Sequence, residues 1–310
     1  MKTDPKVVAL GGGHGLAATL SALRLLTRDL TAIVTVADNG GSSGRLRKEF
    51  HSLPPGDLRM ALAALCADDE WGRGWAKILQ YRFTSEGEMN GHALGNLLLT
   101  ALWDRDGDPV AGIARVGELL KIVGRVLPMA TQPLDIEATI LLPEGKELVR
   151  GQVEVATSKG NVESLRLIPE QPLVTPQAIS AIYGAEWLTI GPGSWFSSVM
   201  PHILLSEEAN AICETSAKKI IILNLPEPTT KSEFAGSSAE AHLEFMMAHL
   251  PTLKIDYAIV DPSSILPNSR LKVVVEGLGG ALIVAPVAQN PGSFHHDPKK
   301  LSSVLSHIFE

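Results

Sequence analysis

Cysteine is scarce, with two residues in 310, Cys66 and Cys213, both inside apolar stretches. That excludes a disulfide framework and a thiolate metal site, and it reads as buried free thiols in a reducing compartment. Positive charge is also in short supply: 27 lysines and arginines face 34 acidic residues, a net charge of −7. A general nucleic-acid binder, which neutralises many phosphates, is thereby excluded. No apolar run approaches the roughly 20 residues needed to cross a bilayer, so membrane insertion is not expected. Aromatic residues make up only 5%, but the hydrophobic fraction of 45% is that of an ordinary folded chain. Met1 to Pro5 runs straight into an apolar segment without the pattern of a signal peptide, and the protein is expected in the cytoplasm.

Glycine is plentiful, and its placement is informative. An apolar run, Val7 to Leu10, leads into Gly11, Gly12, Gly13, His14 and Gly15, then a helical pattern from Leu16 to Leu26, then a second apolar run, Thr31 to Val36, ending at Asp38. This predicts strand, glycine turn, helix, strand. Such a turn lets the backbone approach a phosphate, and the free N–H groups of the following helix favour an anion. Asp38 stands where such folds place a carboxylate for a ribose hydroxyl. The dinucleotide fingerprint is incomplete, because Leu16 occupies the place of its third glycine. A turn that merely closes strand onto helix is the competing reading.

A second glycine-rich loop follows at once: Asp38, Asn39, Gly40, Gly41, Ser42, Ser43, Gly44, Arg45. Clustered backbone N–H groups, two hydroxyls and a guanidinium suit an anion. Arg45, Arg47 and Lys48 form one local basic cluster, either a solvated helix face or a phosphate contact. Asp57 is placed to cap a helix from Leu58 to Ala67, with a ligand role as the sharper alternative. The segment 69–123 reads as helical throughout, with Trp71 and Trp75 on one packing face. Within it, His92 and Asn96 share a helix face and Gly91 and Gly95 the neighbouring one, a pattern that fits either a ligand pocket or a structural histidine.

From Leu134 to Thr157 the periodicity changes to short alternating runs around Pro143 to Lys146, an antiparallel hairpin to which Leu165 to Ile168 adds a strand. Glu186 to Ile190 is a strand ending in Gly191, Pro192, Gly193 and Ser194, which repeats the opening logic on the far side of a ligand. Ser194 as a plain helix cap is the competing reading. The strand Lys219 to Leu223 ends at Asn224, whose amide suits a base edge or ribose, and Leu225 to Ser238 is long enough for a lid. Later come a helix over 239–249, strands over 256–261 and 281–285, and a closing helix over 301–308. His295, His296 and Asp297 read as a solvated late loop rather than a metal cluster.

The motifs at 11–16, 32–47 and 54–59, with Gln80 to Phe83, Gly91 to Leu98, Gly124 to Pro128 and Ile190 to Ser194, resemble the gluconeogenesis factor family (YvcK/CuvA-like) in order and over most of the chain. That family shares a superfamily with the CofD-like 2-phospho-lactate transferases. The resemblance implies an α/β fold: a Rossmann-like three-layer parallel sheet in one domain over 1–310, with a helical insert at about 69–123 and a small β-hairpin subdomain at about 134–168. It implies a UDP-sugar-binding regulator tied to gluconeogenic growth, cell shape and peptidoglycan synthesis, with no required cofactor, a regulatory protein partner and a homodimer as an option. The chain departs from the family in having His14 for threonine, Asn39 for aspartate, Asp261 for asparagine, and a different run after Asn224. A transferase with magnesium on Asp38 or Asp57, and an NAD-dependent oxidoreductase, are the alternatives. No catalytic residue and no resident metal are assigned. The expected ligand contacts are Gly11 to Gly15 and Gly40 to Arg45 on the diphosphate, Asp38 on ribose, and Gly191 to Ser194 with Asn224 on sugar or base.

Overall fold

A computed structural model describes residues 4–226 and 238–310. The first unit runs β1 (Val7–Gly11), α1 (Gly13–Leu23) and β2 (Leu30–Val34), followed by α2 (Gly41–Phe50), α3 (Pro55–Leu65), α4 (Glu70–Gln80), α5 (Leu94–Asp106) and α6 (Pro109–Leu120). Next come β3 (Arg125–Pro128), β4 (Asp135–Leu142), β5 (Gly145–Arg150), α7 (Gln152–Thr157), β6 (Asn161–Ile168) and α8 (Pro176–Tyr183). The second half contains β7 (Trp187–Ile190), a π-helical turn (Trp195–Val199), α9 (Met200–Leu204), α10 (Ser206–Glu214) and β8 (Lys218–Ile222). It closes with α11 (Ala239–His249), β9 (Tyr257–Val260), α12 (Leu271–Gly277), β10 (Ala281–Val284) and α13 (Pro298–Phe309).

Among the described residues the main sheet has seven strands in the order β10-β9-β8-β7-β1-β2-β3, all parallel. The chain winds outward from β1 through β2 to β3, then returns beside β1 as β7 and winds the other way. β1 and β7 thus flank the point where strand order reverses, and in open parallel sheets the crevice for a ligand lies there. β1, β2 and β7 are buried along their whole length, which explains why they read as unbroken apolar runs. Helices cover both faces, giving the expected three-layer α/β architecture. A second, antiparallel sheet has the order β5-β4-β6, with Ile136, Ala138, Ile140, Leu165 and Leu167 buried on its inner side.

Several local expectations are corrected. The run from Gly41 to Arg45 is the start of α2, not a loop; Ser42 and Ser43 are buried, and a side chain on Gly44 would collide with the Asn39 backbone. Tight docking of this turn outweighs its weak helix propensity. α3 begins at Pro55, so Asp57 lies inside its first turn instead of capping it. The 69–123 segment is broken: residues 81–93 leave the helix, with Gly91 at φ +76 and His92 ahead of α5. His92 and Asn96 therefore share no helix face. Residues 152–157 form a helix where the alternating pattern predicted strand, and β6 starts at Asn161, earlier than expected. Cys66 is buried, with burial pushing its thiol up to about 11, but Cys213 is only half-buried. Trp71 and Trp75 do face each other at 5.8 Å, yet Trp71 is 46% exposed. The segment read as a lid lies mostly outside the described residues.

Candidate functional site

A cleft of about 820 Å³ opens over the β1–β7 junction. Its floor is built by two glycine turns in contact. Gly12 is the N-cap of α1, whose first turn is Gly13 to Gly15 where the sequence predicted a helix only from Leu16, and Gly15 lies so close to the Pro192 carbonyl that a Cβ there would overlap it. The Thr19 hydroxyl donates to the Gly191 carbonyl at 3.3 Å, and the Gly191 N–H donates to the Leu10 carbonyl at 3.0 Å. Beneath the first turn, the fully buried His202 bonds Glu208 at 2.7 Å through Nδ1 and approaches the Gly11 carbonyl at 3.4 Å through Nε2.

Two carboxylates face this floor. Asp38 follows β2 and holds the Gly40 N–H at 2.9 Å. Asp57 lies against Gly12, where any Cβ would strike it, and accepts from the Thr35 hydroxyl at 3.4 Å. Burial, then the neighbouring Asp38 charge, push the Asp57 carboxyl up to about 7, against the pull of bonds from the Gly13 backbone and Thr35. Among the described residues no lysine or arginine lines the cleft. An anion held here would therefore rest on backbone N–H groups and on whatever neutralises two carboxylates.

The sequence-derived residues divide into two groups. Gly12, Gly13, His14, Gly15, Asp38, Asp57, Gly193, Ser194 and Asn224 meet in the cleft. Asn224, however, spends its amide on the turn, accepting from Gly193 N–H at 2.9 Å and donating to Gly193 O at 2.8 Å. Ser194 receives the Ser197 N–H at 3.2 Å as a cap of the π-helical turn. The second group lies behind the cleft wall. The Ser42 hydroxyl is bonded by Asn96 Nδ2 at 3.0 Å and by His92 Nδ1 at 3.0 Å, and Asn96 Oδ1 accepts from the buried Arg59 at 2.9 Å. This knot fastens α2 to α5. Arg45 reaches the Glu88 and Asn90 carbonyls at 2.6 and 2.7 Å, and Asn39 turns toward α7. Gly11, Gly40, Ser43, Gly44 and Gly191 support the walls without lining them.

The far wall was not expected from sequence. Phe294, His295 and His296 line it, and His296 is 5% exposed, not solvated. Burial holds the His296 ring down to about 4, while Nε2 has no hydrogen-bond partner among the described residues. His295 stands 6.2 Å from His14 across the mouth, and burial, followed by His295, lowers the His14 pKa. Asp297 caps α13 through the Lys299 and Lys300 N–H groups. Gln152 enters from α7, and Gln289 from the stretch after β10. The doubled histidine was the available signal for this wall. What pairs it with the first glycine turn is a contact between opposite ends of the chain.

A parallel sheet with paired glycine turns at its reversal point and a carboxylate after the second strand defines an α/β protein of the Rossmann-like type. The chain belongs to the CofD family, whose model, described as 2-phospho-L-lactate transferase CofD, matches residues 7–277. The Listeria innocua protein named Gluconeogenesis factor is 36% identical over 264 residues, covering 85% of this chain and 80% of its own. A Mycobacterium tuberculosis protein provisionally given the same name is 47% identical over 311 residues, covering 97% and 90%. A crystal structure from Bacillus halodurans superposes with a TM-score of 0.87 at 30% identity, covering 99% of both chains. Among the described residues no helix is long and apolar enough to cross a membrane.

Proposed function

We propose that this chain is a regulatory protein that binds a nucleotide sugar of the uridine diphosphate class in the cleft over β1 and β7. The observation that carries the reading is the contact of the two glycine turns, Gly12 to Gly15 against Pro192 and Gly193, beside Asp38. The diphosphate sits on the turn before α1 and the ribose on Asp38. A cleft of about 820 Å³ is ample for both and for a sugar. The names of the relatives support a role in gluconeogenic growth, and the resemblance extends it to cell shape and peptidoglycan synthesis through a protein partner.

The Asp38 and Asp57 pair favours a second reading, a transferase acting on a nucleoside diphosphate-linked substrate. The hard oxygen donors of Asp38 and Asp57 suit magnesium, which would neutralise phosphate oxygens in a cleft that no lysine or arginine lines among the described residues. Asp57 would then lose its proton, and the Gly13 N–H would keep its carboxylate oriented.

Thermal unfolding with UDP-N-acetylglucosamine, UDP-glucose, GDP, NAD and NADP, each with and without magnesium, separates the readings. A ligand at a hundred times its Kd stabilises the protein by about 2.7 kcal/mol, a rise of a few degrees. The UDP sugars are expected to produce that rise and NAD none. A rise confined to GDP with magnesium would overturn the regulatory reading in favour of the transferase.

A further inference from the structure

The connection between β5 and β6 of the small sheet enters the cleft lining through Gln152, the first residue of α7. It is held there by Asn39, which lies beside Asp38. Asn39 Oδ1 accepts from the Val153 N–H at 3.0 Å, and Asn39 Nδ2 donates to Glu154 Oε2 at 2.8 Å. An asparagine amide satisfies both ends of this clamp, whereas an aspartate would present a second negative charge to Glu154. Gly40 leaves room between the two elements: a Cβ there would stand 3.3 Å from Asp38 Oδ1, 3.3 Å from Val153 Cγ2 and 4.0 Å from Gln152 Oε1. The Asp38 carboxylate and the Gln152 amide thus border the same small space, and α2 is further tied to this sheet by Asp135, which bridges Arg47 and Arg150.

From this arrangement we infer that Gln152 joins Asp38 in gripping the ribose diol of a nucleoside diphosphate, with Asn39 as the positioning residue that holds Gln152 in the cleft. The inference rests on the nucleotide-binding reading above. Each hydroxyl of a vicinal diol can both donate and accept, and a carboxylate meets only the donating half of that capacity. Asp38 can only accept, and its Oδ1 already shares its lone pairs with the Gly40 N–H at 2.9 Å, so it offers the diol no donor. An amide that both donates and accepts completes the pair. The small sheet is then a wall of the site, and its sequence sets how strictly the sugar of the nucleotide is read.

Calorimetric titration with UDP, 2′-deoxy-UDP and 3′-deoxy-UDP tests this. Wild-type protein should bind UDP about tenfold more tightly than each deoxy analogue, the usual scale of one hydrogen bond to a partner in a cleft. In Gln152→Ala, UDP affinity should fall about tenfold and one analogue should bind as well as UDP. Asn39→Asp should behave like Gln152→Ala, and Asn39→Asp with Glu154→Gln should recover wild-type affinity, with unfolding midpoints confirming intact folds. Unchanged ranking of the three ligands in Gln152→Ala overturns the inference while leaving nucleotide binding in place. A double variant no better than Asn39→Asp removes the positioning role of Asn39. Absence of UDP binding by the wild type removes both the inference and the reading beneath it.

Discussion

Burial first, and the neighbouring Asp38 carboxylate second, push the Asp57 carboxyl up to about 7 beside a turn suited to an anion. Because the folded value lies above the unfolded one, the native state holds the extra proton between about pH 4 and 7, so stability is full below that window and falls as pH rises through it. Partial contact with solvent moderates the full shift, leaving a loss on the order of 3 kcal/mol. Asp57→Asn should abolish that fall. In urea titrations the variant should match the wild type near pH 4 and exceed it by about that amount at pH 8. Equal stability of the two proteins at pH 8 would remove the strained carboxylate. The same residue shows where the sequence was legible. Its polarity at the end of the Pro54 to Asp57 stretch was visible, but the burial that mainly shifts it, and the Asp38 charge that adds to it, come only with the fold.

At the scale of elements, glycines with different surroundings should respond in opposite directions. Gly15→Ala places a methyl group on the Pro192 carbonyl and near the Gly193 backbone, neither of which is a flexible side-chain end. The two turns must separate, so we expect loss of ligand-induced stabilisation and a lower midpoint, by about 2 kcal/mol or more on the scale of core overpacking. Gly74 lies inside α4 with nothing near its Cβ position. Gly74→Ala should stabilise by about 0.5 to 1 kcal/mol, the ordinary gain in a helix interior. Similar effects of both changes in thermal unfolding would contradict the packing described. Elements with one strong local signal were legible: β1 and β7 as apolar runs closed by glycine, and the β4–β5 hairpin by alternation. α2 was not, because Gly41, Ser42, Ser43 and Gly44 are poor helix formers. Their helix is held by Asn96 and His92 on Ser42 and by the absence of a side chain at Gly44, contacts from outside the segment.

Across the whole molecule, the parallel order β10-β9-β8-β7-β1-β2-β3 puts the glycine turns after β1 and after β7 on strands buried along their whole length. Among the described residues the small sheet instead offers β5 as an exposed edge paired to β4 alone. The alternation of apolar runs and helices made the main sheet foreseeable. The cleft was only half foreseeable, because its far wall joins His295 and His296 to His14 across the length of the chain, and no local pattern encodes that meeting. Local opening free energies follow burial and pairing, so amide exchange should be slowest in β1 and β7 and roughly a hundredfold or more faster in β5. A nucleotide seated as proposed should slow exchange in two places at once, the turns at Gly12 to Gly15 and Gly191 to Ser194, and α7 at Gln152 to Thr157. Protection of the turns alone would leave the small sheet outside the site. Protection of α7 alone would place the ligand on the small sheet and away from the strand reversal, against the floor on which the diphosphate is argued to rest.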